Sequence, residues 1–218
     1  MRAFHNDPKL KDKYVARVKE HVTADEIIHG VYWEDGKGCA VGCTIHGRDH
    51  RLYETELGIP RVLALLEDRI FEGMGNGDSK EFPLRFISAI DPGADLSLVW
   101  PKFANWLLLD PTDGVIKFAK TDKARRAIRA VADLHSRAAR GLQVKDEEWK
   151  RARNAAAYAY DAYAYADAYD AYADAYDAYA AYAYAYDAYA ASASAATRQN
   201  AYKRQADKLI ELLQGVKP

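Results

Sequence analysis

Residues 154–197 of this 218-residue chain consist almost entirely of alanine, tyrosine and aspartate. The segment contains 22 Ala, 12 Tyr and 6 Asp, and it has no Lys, Arg or Glu. Short runs such as AYAY alternate as a β-strand would. However, Ala and Asp are poor strand residues, and Ala is the strongest helix former. The composition therefore predicts a helix.

The spacing of the tyrosines indicates what this helix is for. Eight of them recur at steps of three or four, with a mean near 3.4 residues, and they form one stripe, which we call the tyrosine seam: Tyr165, Tyr169, Tyr172, Tyr176, Tyr179, Tyr182, Tyr186 and Tyr189. A period below 3.6 residues predicts a left-handed wrap around a neighbouring helix. Four aspartates (Asp167, Asp170, Asp174 and Asp177) project to the opposite side. The seam thus predicts helix–helix packing, either within the chain or with a second copy or another protein.

The predicted helix extends beyond the seam in both directions. It begins at Asp146, since acidic residues favour a helix N-terminus, and it ends near Leu213, before Gly215. Ser, Thr and Asn residues predict a bend at 192–200. We therefore expect one very long amphipathic helix over residues 146–218, joined to a globular domain over residues 1–145.

Residues 1–145 predict a helical domain. Apolar residues recur at helical spacing in five segments, 8–29, 60–73, 82–90, 100–109 and 121–141. The VIKFA segment (115–119) predicts a short strand that pairs in a hairpin with WLLL (106–109). The expected fold class is mainly α, with a helical N-terminal domain that contains at most one short β-hairpin.

The helix over 121–141 has a basic face formed by Lys123, Arg125, Arg126, Arg129, Arg137 and Arg140. Such a face could bind phosphate groups. It is more often the solvated side of an amphipathic helix, and the apolar residues of this segment lie on the other side.

Charge and cysteine content restrict the function classes. The net charge is −1, and residues outside the tyrosine-rich segment carry +5, so no global field directs the chain to nucleic acid or an anionic membrane. Nucleic acid is not an expected partner, because the acidic seam helix has no cation near its tyrosines.

The sequence shows neither a signal peptide nor a run of 18 apolar residues. Two cysteines make no disulfide framework, and we expect a cytoplasmic protein.

One segment, GCAVGCTIHGRDH, carries candidate chemistry. Cys39, Cys43, His46 and His50 follow one another at spacings of 4, 3 and 4 residues, and all four can ligate zinc or iron. A single helix would hold the first and last too far apart for one ion, so a metal site requires a glycine-rich loop that gathers them. Otherwise the cysteines are small buried residues and the histidines lie at the surface. A thiol enzyme would instead place Cys39 at a helix N-terminus.

Glu26 and His29 form an E-x-x-H pair of the kind found in di-iron helical bundles. Those bundles need two such pairs, and the sequence contains one, so this pattern does not predict a di-iron centre.

The block WEDGKGCAVGCTIHG…YETELGIPRVLALLEDRIFEGM, together with the Ala/Tyr-rich C-terminal segment, resembles an uncharacterised family of bacterial and phage proteins. The resemblance covers most of residues 1–190. It implies a shared architecture and no activity, so it assigns no functional residue.

Two functions are therefore expected. The first is helical interaction or assembly through the tyrosine seam, with a protein partner or a second copy. The alternative is a metal-dependent or thiol enzyme centred on Cys39, Cys43, His46 and His50, with zinc or iron as its cofactor.

Overall fold

The computed structural model describes residues 1–119, 121–159 and 195–218. The described residues are mainly α-helical with one two-stranded antiparallel sheet, which confirms the predicted fold class. The helices are Pro8–Thr23 (α1), Ala40–Ile45 (α2), Leu52–Leu57 (α3), Arg61–Gly73 (α4), Asn76–Ser79 (α5), Phe82–Ser88 (α6), Val99–Leu109 (α7), Asp122–Ala139 (α8), Asp146–Ala159 (α9) and Ala195–Gln214 (α10). The strands are Trp33–Glu34 (β1) and Lys37–Gly38 (β2), and short 3-10 helices cover Ala3–Asn6, Leu96–Leu98 and Val115–Phe118.

The chain divides into two compact units, Met1–Val99 with Ala195–Pro218, and Trp100–Ser194. The predicted start of the long helix at Asp146 agrees with the start of α9, and its predicted end agrees with the end of α10. The tyrosine seam lies outside the described residues, as do the first three residues of the predicted bend. The division of the chain at 145/146 and the continuity of the long helix stay predictions.

Two local predictions are wrong. The hairpin forms at residues 33–38, where Trp33 pairs with Gly38 and Glu34 with Lys37. Its turn residues Asp35 and Gly36 both have positive φ, as a tight type I′ turn requires. WLLL instead belongs to α7, and VIKF forms a 3-10 helix. α1 ends at Thr23 instead of reaching 29, because the chain turns at Asp25, which has φ +57°.

The first unit is organised around α4. Its α1 begins as predicted, with the Asp7 side chain accepting from the Lys9 N–H at 2.9 Å and Pro8 in the first turn. α2, α3, α6 and α10 all pack against α4. The fully buried side chains include Tyr14, Tyr53, Leu63, Phe71, Phe82 and Phe86, with Leu209 and Leu213 from α10.

In the second unit α8 packs against α9. Thr121 caps α8 as predicted, accepting from the Ala124 N–H at 3.1 Å. The apolar face of α8 is buried, and Arg125, Arg126 and Arg129 on the basic face are exposed. Arg137 pairs with Glu148 of α9 at 2.5 Å.

No helix in the described ranges has the length and apolar character that crossing a bilayer requires.

Candidate metal centre

Asp68 and Glu72 lie one turn apart on α4 and therefore on the same face of that helix. Cys39 is the N-cap residue of α2, which packs against α4. One ligand atom from each of these three residues lies within 4.8 Å of the other two. We call this group the Cys39 cluster. Cys39 is buried, Asp68 is half-buried and Glu72 is exposed, so the cluster extends from the core to the surface.

Two glycines set the position of the loop beside the cluster. A Cβ on Gly38 would lie 2.1 Å from the Tyr32 carbonyl oxygen, and one on Gly42 would lie 1.4 Å from it. Any side chain at either position would therefore push the loop away from α2. The Cys39 N–H donates to the Val31 carbonyl at 2.7 Å and ties the same loop to the start of α2. Gly38 and Gly42 thus allow the backbone of this loop to lie close to α2.

Both carboxylates of the cluster are held by residues outside α4. The Glu72 carboxylate accepts from the Gly30 N–H at 3.0 Å, and its Oε2 lies 3.5 Å from His29 Nδ1. The Asp68 Oδ2 atom accepts from the Tyr32 hydroxyl at 3.5 Å and lies 3.4 Å from His50 Nε2. Contacts of this kind orient ligating carboxylates in metal sites.

His29 is itself fixed on two sides. Its Nε2 lies 2.8 Å from Ser79 Oγ, and its ring stacks on Phe71 with centroids 4.5 Å apart. Ser79, His29 and Glu72 thus stand in the order of a Ser–His–carboxylate triad. Ser79 is fully buried, so a substrate has no access to its hydroxyl. Ser79 and His29 therefore position Glu72, and the three residues do not form a nucleophilic site.

The electrostatics of the cluster favour a cation. Burial, followed by the charge of Asp68, raises the pKa of the Cys39 thiol well above its ordinary value. Two buried polar atoms, Asp68 Oδ1 and His50 Nε2, make no hydrogen bond among the described residues, since the 3.4 Å approach of His50 Nε2 to Asp68 Oδ2 lacks hydrogen-bond geometry. A bound divalent ion would satisfy carboxylate oxygens and convert the thiol to a thiolate, because a coordinating thiol is deprotonated.

Glu67, next to Asp68 in sequence, points into the core. It is fully buried, and its Oε2 accepts from the Tyr53 hydroxyl at 2.7 Å. Burial raises the pKa of Glu67 well above its ordinary value. The pair fixes α4 to α3 directly behind the Cys39 cluster.

The structure places the four residues of the predicted metal set in different surroundings. Cys39 lies in the Cys39 cluster, and His50, which is 8% exposed, contacts its Asp68. Cys43 is fully buried, its thiol donates to the Gly38 carbonyl at 3.4 Å, and burial raises its pKa to about 12. His46 is exposed and faces His21. A single ion held by all four residues stays a prediction.

Glu26 and His29 of the E-x-x-H pair have different partners. Glu26 Oε2 lies 2.6 Å from His21 Nδ1, whereas His29 contacts Glu72 and Ser79. The two residues of the pair therefore belong to two separate groups of side chains.

Asp68 and Glu72 are not among the site residues predicted from the sequence. Their spacing of four within LLEDRIFEG was a usable signal, since it places two carboxylates on one helix face. Comparisons of the chain with protein-family models, with curated proteins and with solved structures gave no match.

Proposed function

We propose that the Cys39 cluster binds one zinc or ferrous ion and that the chain is a metal-dependent hydrolytic enzyme. The observation that carries the proposal is the convergence of a thiol and two carboxylates within 4.8 Å. Thiolate and carboxylate oxygens are ligands that both ions accept.

The geometry is close to what one ion needs. Ligand atoms around a tetrahedral zinc lie about 3.5 Å apart, given bonds of about 2.0–2.3 Å. The three ligand atoms lie at most 4.8 Å apart, so the contraction to that separation is small for side chains on two packed helices. The contacts of His50, Tyr32, His29 and Gly30 hold the carboxylates in place from the other side.

The number of ligands points to catalysis. Structural zinc sites are closed by four protein ligands, whereas catalytic sites use three and leave a position for water. A metal ion in such a site lowers the pKa of its bound water to about 7 and so supplies a nucleophile at neutral pH. The Glu72 side chain is 34% exposed, which supports an open position on the solvent side of the proposed ion.

A thiol nucleophile has less support. The raised pKa of Cys39 keeps the metal-free residue protonated, and the thiolate is the nucleophilic form. Both cysteines are free thiols, which suits a reducing compartment such as the cytoplasm.

Metal content of protein purified without chelator tests the binding. We expect about one equivalent of zinc or iron, lost in Cys39→Ala and retained in the matched variant Cys43→Ala, which removes the other buried cysteine. His50→Ala should weaken metal affinity about 10–100-fold, as loss of an outer contact does. Protein without bound metal, or loss of metal only in Cys43→Ala, would overturn the assignment of these ligands.

Hydrolysis of probe substrates tests the enzyme. An activated carboxylic ester and an activated phosphodiester should be cleaved by the metal-loaded protein and not by Cys39→Ala. A protein that holds the ion and cleaves neither probe would contradict the hydrolytic function while leaving the metal site standing.

The alternative is helix–helix assembly through the tyrosine seam. Its residues lie outside the described part of the chain, so it rests on the sequence pattern alone.

A further inference from the structure

A second group of convergent side chains lies at the end of α2, away from the residues of the Cys39 cluster. His46 Nε2 and His21 Nε2 face each other at 2.9 Å. Behind them, His21 Nδ1 lies 2.6 Å from Glu26 Oε2, and the His46 ring stacks on Trp33 with centroids 4.3 Å apart. Each ring is therefore held in place by a neighbouring side chain.

Hydrogen-bond chemistry fixes the protonation of the neutral pair. An ionised Glu26 can only accept, so His21 carries its proton on Nδ1 and presents a lone pair at Nε2. His46 then donates from its Nε2. A carboxylate behind a histidine whose other nitrogen is free is the arrangement that orients metal-ligating histidines.

The backbone of His46 is in an unusual conformation. His46 is the C-cap of α2 with φ +50° and ψ +49°, the left-handed region in which glycine is the usual residue. Its N–H donates to the Gly42 carbonyl at 2.8 Å, so the end of α2 fixes this conformation. A non-glycine residue there costs free energy, and such positions concentrate at functional sites. Here the conformation directs the imidazole toward His21.

We propose that His21 and His46 form a second metal site, which binds one divalent zinc-class ion through their two Nε2 atoms. Two imidazole nitrogens on a tetrahedral ion lie about 3.3 Å apart, given bonds of about 2.0–2.1 Å, so the rings need to separate by only a few tenths of an ångström. Imidazole suits zinc, copper and nickel, and water completes the coordination. On binding, the His46 proton moves from Nε2 to Nδ1 through solvent, and the neutral pair releases no net proton.

The site is reached from solvent. His46 is exposed overall, while partial desolvation of its ring, followed by the charge of Arg17, lowers its pKa, so the imidazole is neutral at physiological pH. This second site shares no ligand with the Cys39 cluster, so the two proposals stand or fall separately.

Zn²⁺ titration by calorimetry, on protein already holding its first ion, tests the proposal. We expect wild type to bind a second equivalent of Zn²⁺ and His46→Gly to bind no second equivalent. Glycine accepts a positive φ without strain, so His46→Gly should fold with unchanged or higher melting temperature. Cys39→Ala, which should be purified without bound metal, should still take up one equivalent of the added Zn²⁺ at the histidine pair.

The matched control is His5→Gly. His5 is also exposed and has φ +50°, so this variant relieves the same backbone strain without touching the proposed site. It should keep the second equivalent. A second equivalent that persists in His46→Gly, or a wild type that never takes one, would show that the two histidines share a hydrogen bond and no metal. In that case the metal content assigned to the Cys39 cluster is unaffected.

Discussion

Buried ionisable side chains are the residues whose behaviour depends most on their surroundings. His135 is 2% exposed in α8, between the rings of Trp100 and Trp149, and neither of its ring nitrogens has a hydrogen-bond partner among the described residues. Glu67 is fully buried in α4 with one hydrogen-bond donor, Tyr53. Burial disfavours the charged form of both side chains. His135 therefore destabilises the fold as the pH falls, and Glu67 destabilises it as the pH rises.

Acid should destabilise the fold through His135. Burial lowers its pKa from 6.5 to about 4, so the unfolded chain binds the proton more readily. Its contribution to stability is complete above pH 6.5 and is lost as the pH falls toward 4, by about 3 kcal/mol at most. Thermal unfolding at pH 7.5 and 4.5 should show a smaller acid-induced loss in His135→Leu than in wild type. The exposed control His5→Asn should behave as wild type does, and an equal loss in all three proteins would contradict this role.

A rising pH should destabilise the fold through Glu67. A carboxyl whose folded pKa is raised above its ordinary 4.5 contributes stability below that pH and loses it as the pH rises through the folded pKa. Glu67→Gln keeps an acceptor for the Tyr53 hydroxyl and removes the charge. Urea unfolding should therefore show Glu67→Gln gaining stability over wild type between pH 5 and pH 8. A difference between the two proteins that does not change with pH would rule this explanation out.

Helix contacts in the first unit depend on residues without side chains. α10 packs against α4 where Gly73 meets the ring of Tyr202, and a Cβ on Gly73 would lie 2.2 Å from that ring. Gly38 and Gly42 let the Tyr32 carbonyl approach the start of α2 in the same way. These close contacts hold α10 against α4 and hold the Tyr32 loop against the start of α2, where Cys39 lies.

Gly73→Ala should therefore destabilise the docking of α10 by about 1–3 kcal/mol, the usual effect of overpacking. Gly77→Ala is the matched control, because a Cβ there meets nothing within 4 Å. Chemical denaturation of the two variants gives the comparison. If Gly73→Ala is as stable as Gly77→Ala, the close contact with Tyr202 is not a constraint on the fold.

Much of the helical content was predictable, since capping residues and apolar spacing mark α1, α4, α8 and the start of α9. The hairpin was missed because strands of two residues are too short to show alternation, although Asp35-Gly36 is a known turn signal. The Cys39 cluster could not be predicted as a whole. Asp68 and Glu72 share a visible helical spacing, but their meeting with Cys39 depends on how α2 packs on α4.

At the scale of the whole molecule, the tyrosine-rich segment connects α9 of the second unit to α10 of the first. Its composition is far from that of either unit, and its seam predicts packing on another helix. Its six aspartates predict a polar surface away from the seam. The mass of the protein in solution tests whether the tyrosine-rich segment assembles copies of the chain.

Replacing Tyr172 and Tyr179 by Asp should lower the solution mass and leave the helical content largely intact. Buried aromatic side chains contribute about 3–5 kcal/mol each, so two charges in the seam should abolish an interface. Light scattering and circular dichroism measure the two quantities. Unfolding of the double variant would instead identify the seam as part of the chain's own core, and no change in mass or stability would contradict both interpretations.

Co²⁺ substitution shows whether Cys39, Asp68 and Glu72 hold one metal ion. A cobalt–thiolate bond gives a charge-transfer absorption that carboxylate and imidazole ligands do not produce. We expect this band at one equivalent of Co²⁺ in wild type and in Cys43→Ala, and its absence in Cys39→Ala. A wild-type complex without the band, or a band that disappears in Cys43→Ala and survives in Cys39→Ala, would contradict this assignment.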